Sequence, residues 1–466
     1  MLARDYRFDG KFFVGVKTTG VYCRPICPAR PLRKNVEFFA TALAAEKAGY
    51  RPCLRCRPEG APGSPLWIGS SELVQRALKL IAANELTDEN DFARRLGISA
   101  RHLRRLFEDE LGQTPKQISD NNRLNFARKL VVETDLPMIT VASTAGFHSL
   151  RRFNDAFQKR FTRTPSQIRR RHASASSDAG FHLSIAYRPP LHWPALLQFY
   201  KRHHMAGIET VTDTTFARVF RIGETVGAFS IHPIEAQHRF DLHVHTDNPH
   251  ILFELVRRVR KMFDLDSDPV LIANSFAAIP MLAQIHERHP GLRLPRGFDP
   301  YETAICSILG QLVSTEFAAT LVHQLITAYG EEVAHPVTGE NARLFPTPEK
   351  LAASDLAAVK TTGARKESIR DFSRRVLSNH VALSDAQDPA LFRSALLATK
   401  GIGPWSAEYI ALRAIGDTDA FPATDLILRR VLDLHPTLDL TAIKPWRSYA
   451  AMYLWKEFAS TLSKKK

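Results

Sequence analysis

Apolar residues recur at helical spacing through Leu73, Ala77, Leu80 and Ile81, and again through Phe92, Leu96, Leu103, Leu106 and Phe107. Between those runs, the stretch from Asp91 to Ser99 reads as a helix, a turn at Gly97 and a serine N-cap that opens a second helix. The unit recurs from Thr140 to Ser149, with Gly146 at the turn and Ser149 at the cap. The predicted second helices carry Arg101, His102, Arg104 and Arg105 in the first unit and Arg151, Arg152 and Asn154 in the second. Two helix-turn-helix units with basic second helices suit two major-groove contacts, although short helix-glycine-helix patterns also occur in structural bundles. Further along, Phe240 to His245 alternates like a strand, and Leu252 to Phe263 returns to the helical period. Residues 181–295 are therefore expected to be α+β, and residues 296–462 helical.

Polar, small-residue stretches separate these regions. Residues 173–180, Ala-Ser-Ala-Ser-Ser-Asp-Ala-Gly, follow the basic run Arg169-Arg170-Arg171-His172 and hold too little apolar surface to fold, so a flexible tether is expected. A weaker break runs from Gly60 to Pro65. No apolar run approaches the length that spans a bilayer, and the N-terminus lacks a charged-then-apolar signal pattern, which points to the cytoplasm.

Charge changes the picture. Of the net +15, residues 1–172 hold 31 Lys and Arg against 17 Asp and Glu, while the rest of the chain is nearly balanced at 32 against 31. So lopsided a distribution suggests that the first third binds a phosphate backbone.

Cysteine usage adds chemistry. Five cysteines occur in 466 residues, and four of them form Cys23-x3-Cys27 and Cys53-x2-Cys56. Two close pairs within 34 positions suit one tetrahedral thiolate zinc site, and reduced thiols in the cytoplasm favour metal over disulfide. A purely structural staple is the plain alternative. Arginines 24, 51, 55 and 57 surround the pairs, placed to moderate the thiolate charge or to face an anion.

The stretch from Phe153 to Arg169 resembles the signature of AraC-type transcription activators, a likeness that covers residues 68–172. Thr18-Thr19-Gly20-Val21-Tyr22-Cys23-Arg24-Pro25 with Arg51-Pro52-Cys53-Leu54-Arg55-Cys56 is similar to the N-terminal domain of the Ada adaptive-response family. The resemblance implies that Cys23, Cys27, Cys53 and Cys56 bind zinc and that Cys23 takes a methyl group from DNA methylphosphotriesters in a one-shot reaction. A zinc-held thiolate is a competent nucleophile at neutral pH. The later Pro-Cys-His-Arg motif of that family is missing. Cys306 lies in an apolar helical run and reads as a packing residue.

Lys400-Gly401-Ile402-Gly403-Pro404-Trp405 is followed, 22 residues beyond Gly403, by Asp425. With Ile308 to Ser314 and Pro445 to Trp455, this resembles the helix-hairpin-helix superfamily and, within it, AlkA-type 3-methyladenine DNA glycosylases over residues 181–462. The resemblance implies Asp425 as the catalytic carboxylate, Trp405, Tyr409 and Trp455 as the base pocket, Leu312 as the wedge into the duplex, and Gly401 and Gly403 as backbone contacts. Core packing for the aromatics and helix N-capping for Asp425 are the plain alternatives. Trp405 stands where bifunctional relatives carry a lysine, so a monofunctional glycosylase is expected. No cysteine follows Cys306, so no iron–sulfur cluster is expected.

The expected fold is multidomain: a small four-cysteine zinc α+β domain (1–65), an all-α double helix-turn-helix domain (68–172), a linker (173–180), an α+β subdomain (181–295) and an all-α helix-hairpin-helix glycosylase core (296–462). The expected function is an alkylation sensor and transcription activator fused to a base-excision enzyme, with double-stranded DNA and RNA polymerase as partners. A regulator with an inactive glycosylase half, and a glycosylase merely anchored on DNA, are the competing readings.

Overall fold

The structure is a computed structural model of the chain that describes residues 4–53, 55, 56, 58, 61, 72–169, 180–384 and 387–462. All of the tether expected at 173–180 except Gly180, and most of the break at 60–65, lie outside the described residues. Contacts divide the chain into two compact units: residues 1–189 with 222–225 and 231–257, and residues 190–221 with 226–230 and 258–466. Among the described residues no helix is long and apolar enough to cross a membrane.

The first unit opens with a four-stranded sheet of β1 (Phe13–Val16), β2 (Val21–Cys23), β3 (Val36–Phe39) and β4 (Arg51–Pro52), in the order β3-β1-β2-β4. Strand β1 pairs antiparallel with β2 and β3, and β4 runs parallel to β2. Phe13, Tyr22 and Ala45 of the helix Ala42–Lys47 make its small core with Phe39 and Tyr50. Gly15 permits that packing, since a Cβ there would stand 2.7 Å from the Phe39 ring and 2.9 Å from the Tyr50 ring.

Helices follow. The first helix-turn-helix pairs Glu89–Arg95 with Ala100–Leu111, and the second pairs Met138–Thr144 with Leu150–Phe161. Both turns carry a glycine in the left-handed region, Gly97 at φ +78 and Gly146 at φ +83. Both second helices are N-capped by serine, with Ser99 accepting from His102 N and Ser149 from Arg152 N. The long helix Pro115–Glu133 lies between the two helix-turn-helix motifs in sequence and opens on a Thr114/Gln117 capping box. In the second helix-turn-helix Phe153, Phe157 and Phe161 form an i, i+4, i+8 row of buried rings with centroids 5.4 and 4.6 Å apart.

A five-stranded sheet is built from β5 (Phe181–Ala186), β6 (Glu209–Val211), β7 (Phe216–Ile222), β8 (Thr225–Ile234) and β9 (Arg239–His245), ordered β5-β9-β8-β7-β6. The strand expected at Phe240–His245 is β9, in antiparallel register with β5. Strand β5 is an edge, and the long helix covers it. Ser184 N donates to Glu133 Oε2 (3.0 Å), Ser184 O accepts from Lys129 Nζ, and Lys129 pairs with Glu133 at 2.8 Å. One i, i+4 ion pair thus satisfies both backbone groups of Ser184 on that edge.

The core of the second unit is helical, carrying the expected period into Pro300–Leu309, Thr315–Tyr329, Gly363–Leu377, Pro389–Leu397, Pro404–Ile410, Leu426–Leu434 and Arg447–Leu462. Ile305, Ile308, Phe372, Phe392, Ile410, Val431 and Leu454 are fully buried there. A short hairpin, Glu332–Ala334 with Asn341–Arg343, adds the one strand pair among the described residues of this stretch. Cys306 packs half-buried against the core.

Candidate functional site

Two reactive centres emerge, one in each unit. In the first, parallel pairing of β2 with β4 brings Cys23 beside Cys53, whose N–H donates to Tyr22 O at 2.9 Å. A tight turn then returns Cys27 N to Arg24 O at 3.0 Å. The four sulfurs of Cys23, Cys27, Cys53 and Cys56 all lie within 4.8 Å of one another. Tetrahedral ligands at about 2.3 Å from one zinc stand about 3.8 Å apart, so the cluster is close enough to share one ion after a small contraction. Left to themselves the four thiols cannot all ionise: hydrogen bonding to Cys27, then Cys53, pushes the Cys23 thiol well up. A divalent cation at the centre reverses that, so the donor set fits zinc. Arg24 contributes through its backbone, with N–H to Cys56 Sγ at 3.3 Å, while its guanidinium pairs with buried Asp9 and reaches Cys56 O at 3.2 Å.

A polar chain runs from the cluster to the second helix-turn-helix. Tyr22, the neighbour of Cys23, donates its hydroxyl to Glu46 Oε1 (2.6 Å), and Glu46 Oε2 accepts from Arg160 Nη1 (2.5 Å). Arg160 also donates to Asn121 and to Asn125 Oδ1 (3.1 Å) on the long helix. Arg51 adds a bond to Thr162 Oγ1 at 2.7 Å. The residues expected to read DNA lie on the outer faces of their helices. Arg101, Arg104, Arg105, Arg151 and Arg152 are exposed, and His102, Ser149 and Asn154 half-buried. Arg104 is tied to Glu89 by two bonds of 2.6 and 2.8 Å, and Arg105 Nη2 lies 3.1 Å from His102 Nδ1.

In the second unit, helix Pro389–Leu397, the hairpin around Gly401 and helix Pro404–Ile410 form the helix-hairpin-helix. Gly401 has φ +79, and a Cβ on it would lie 2.1 Å from Ser368 Oγ, so glycine is required twice over. Gly403, the N-cap, has open space where a Cβ would stand. Gln311 locks the hairpin to the preceding loop, donating to Gly401 O (3.1 Å) and Ser406 Oγ (2.8 Å). Its neighbour Leu312 has φ +55 and is 102% exposed. An apolar side chain in the left-handed region, standing wholly in solvent, is a strained and costly arrangement.

Trp405, Tyr409, Asp425 and Trp455 line one cavity of about 510 Å³; Leu312 is not in its lining. Asp425 caps helix Leu426–Leu434, with Oδ1 accepting from Ile427 N (3.0 Å) and Leu428 N (3.2 Å). The same carboxylate accepts from both indoles, Trp455 Nε1 at 2.9 Å and Trp405 Nε1 at 3.2 Å. Capping and pocket geometry therefore coincide in one residue. Trp405 stacks on Tyr409 with centroids 5.0 Å apart and planes at 11°, and Trp455 meets Tyr409 edge-on at 6.2 Å.

Sequence reasoning did not anticipate the charged lining. Buried Arg218 pairs with Glu209 (3.1 Å) and Glu302 (2.8 Å), and both carboxylates border the cavity. Burial, opposed by Arg218, pushes Glu302 up to about 7, and burial also raises Glu209 and Cys306. Arg296 and Arg413 complete the charged lining. Trp405, Tyr409 and Arg413 fall at i, i+4 and i+8, and that helical row was the available signal.

Comparison with known proteins accounts for each segment. Residues 1–59 match the metal binding domain of Ada, residues 92–171 a helix-turn-helix domain, and residues 182–299 the AlkA N-terminal domain. A Mycobacterium tuberculosis protein described as a probable bifunctional transcriptional activator/DNA repair enzyme AlkA is 37% identical over 97% of this chain and 94% of its own length. The Escherichia coli DNA-3-methyladenine glycosylase 2 is 30% identical over 58% of this chain and 96% of its own length. Among solved structures, a 3-methyladenine DNA glycosylase from Archaeoglobus fulgidus shares the fold, with a TM-score of 0.51 at 19% identity over 60% of this chain and 99% of that one.

Proposed function

Because this chain belongs to the family of bifunctional transcriptional activator/DNA repair enzymes AlkA, we propose that it senses alkylated DNA at Cys23, activates transcription through its two helix-turn-helix units, and excises alkylated bases at Asp425. The division of labour follows the segments 1–65, 68–172, 181–295 and 296–462, with 173–180 as linker. The observation that carries the excision is the Asp425 carboxylate, held by two indole N–H groups at one cavity.

At the sensor, Cys23, Cys27, Cys53 and Cys56 would hold zinc, which when bound keeps the thiolates ionised at neutral pH. The Cys23 sulfur attacks the methyl carbon of a methylphosphotriester. The S–C bond forms as the C–O bond breaks, and the electron pair stays on the phosphate oxygen, which regains its negative charge. The product thioether has one negative charge fewer facing DNA, so phosphate affinity rises. The Tyr22–Glu46–Arg160 chain places this change beside the second helix-turn-helix. Arg101, Arg105, Arg151 and Arg152 then contact the promoter, and RNA polymerase is the partner that activation requires. A cytoplasmic location, where thiols stay reduced, suits this chemistry.

At the pocket, Leu312 enters the duplex as the damaged nucleotide swings out, and the Gly401–Gly403 backbone contacts the phosphates. Trp405, Tyr409 and Trp455 receive a base whose positive charge is attracted to their faces. Asp425 stabilises the oxocarbenium-like sugar as the glycosidic bond breaks. Water adds to C1′ and loses its proton, leaving an abasic site. With tryptophan at position 405 no amine is placed there to form a Schiff base, so strand cleavage does not follow.

The test is free-base release from methylated duplex DNA. Wild type should release 3-methyladenine, and Asp425→Asn should be slower by about 10²–10³-fold. Release by neither, with DNA binding intact, would make the C-terminal half a binding module and leave a transcription regulator.

A further inference from the structure

Arg413 has no part in the mechanism above. It lies in the π-helical turn Ala411–Ile415, directly after the helix that carries Trp405 and Tyr409, and it lines the same cavity although 96% buried. Such turns insert one residue into a helix and are concentrated at functional sites. The guanidinium stands 4.5 Å from the Phe199 ring centroid, 5.2 Å from Tyr409 and 5.6 Å from Trp455. Nη1 donates to Pro295 O at 2.8 Å, whereas Nε is shut away from solvent, and neither Nε nor Nη2 has a hydrogen-bond partner among the described residues.

Buried guanidinium groups are normally matched by carboxylates, as Arg218 is by Glu209 and Glu302. Among the described residues Arg413 has no ion pair. The carboxylates around the cavity are committed elsewhere, Glu209 and Glu302 to Arg218 and Asp425 to the indoles and its helix. A cation kept unpaired on the wall of a reactive cavity fits a site where negative charge arrives or develops during the reaction.

We propose that Arg413 faces the departing base and stabilises the electron pair left on it, which makes it the residue that extends excision to uncharged damaged bases. The inference rests on the glycosylase reading of the pocket. As the bond from C1′ to the base nitrogen breaks, its electron pair moves onto the base. A cationic methylated base leaves as a neutral molecule and gains nothing from a nearby guanidinium. An uncharged purine such as hypoxanthine leaves as an anion spread over its ring nitrogens and carbonyl oxygen, and a charged N–H donor at that edge lowers the barrier. Water supplies the oxygen that bonds C1′, and its proton neutralises the departed base. Asp425 serves the sugar in both cases. Arg413 serves the base in one.

The experiment is single-turnover release by the full chain from two duplexes, one carrying cationic 7-methylguanine and the other uncharged hypoxanthine. Rates are compared for wild type, Arg413→Met, Arg413→Lys and Asp425→Asn. Arg413→Met should slow hypoxanthine release by about 10²-fold while 7-methylguanine release stays within about threefold of wild type. Arg413→Lys, which keeps the charge without the planar fork, should recover part of the hypoxanthine rate. Asp425→Asn should slow both. The ratio of the two rates cancels any loss of folded protein. A parallel fall on both duplexes would make Arg413 a prop for the rings and overturn the proposal, as would no change on either. Wild type active on 7-methylguanine but not on hypoxanthine also overturns it. Wild type inactive on both removes the glycosylase reading itself, and the proposal with it.

Discussion

The four-cysteine cluster and the Asp425 cavity both gather acidic groups, yet they are assembled in opposite ways. The cluster draws its ligands from 34 consecutive positions and two adjacent strand ends, and its charge is concentrated on sulfurs within 4.8 Å of one another. The cavity gathers residues from position 199 to position 459, and its Asp425 carboxylate is restrained by four N–H donors. In the function proposed above, the first site gathers four thiols so that a bound cation can keep a sulfur ionised for attack, and is consumed. In the same proposed function, the second holds a carboxylate still so that positive charge can develop beside it, and is regenerated. A nucleophilic sulfur needs a cation that keeps it deprotonated; electrostatic stabilisation needs a rigid, pre-oriented shell.

The largest expected effects test whether the sites are chemically separate. Cys23→Ser should abolish methyl uptake from DNA carrying labelled methylphosphotriesters, with base release at the wild-type rate. Asp425→Asn should do the reverse, lowering release by the factor given above and leaving uptake intact. A smaller effect probes the wiring of the sensor. Glu46→Gln removes a largely buried partner of Arg160, and should cost about 2 kcal/mol in urea unfolding while methyl uptake is unchanged. If uptake falls in step with stability, the docking contact is also part of the reactive centre.

The last effect belongs to the cavity and appears only as a slope against pH. Glu302 titrates near 4.5 when unfolded and is pushed up to about 7 by burial in the folded chain, with Arg218 opposing and Asp299 and Glu209 adding to the rise. The folded state then binds the proton that the unfolded state has released. Stability should decline as pH rises from about 4.5 to about 7, by at most about 3 kcal/mol from this group, and level off above. Glu302→Gln should remove that part of the slope, read as urea midpoints against pH.

Local signals were legible in the sequence, and contacts between distant charges were not. The Gly97 and Gly146 turns, the Ser99 and Ser149 caps and the cysteine pairs act over a few residues, and the structure shows each turn and cap where the pattern puts it. Asp425 as a helix cap was readable for the same reason, whereas its bonds to Trp405 and Trp455 span 20 and 30 positions. The Arg218–Glu302 pair spans 84 positions and Glu46–Arg160 spans 114. Single-sequence periodicity carries no information about which charge meets which across such distances. Arg413 was missed for another reason. Its row with Trp405 and Tyr409 was visible, but a lone arginine on a helix ordinarily faces water.

The position of Glu46 bears on modularity. One carboxylate is shared by a tyrosine of the sensor sheet and an arginine of the second reading helix. Excising the sensor at the Gly60–Pro65 break would strand Arg160 without its counter-ion, so the apparent seam is a poor place to cut. Grafting this sensor onto another regulator would require carrying over both ends of that bond.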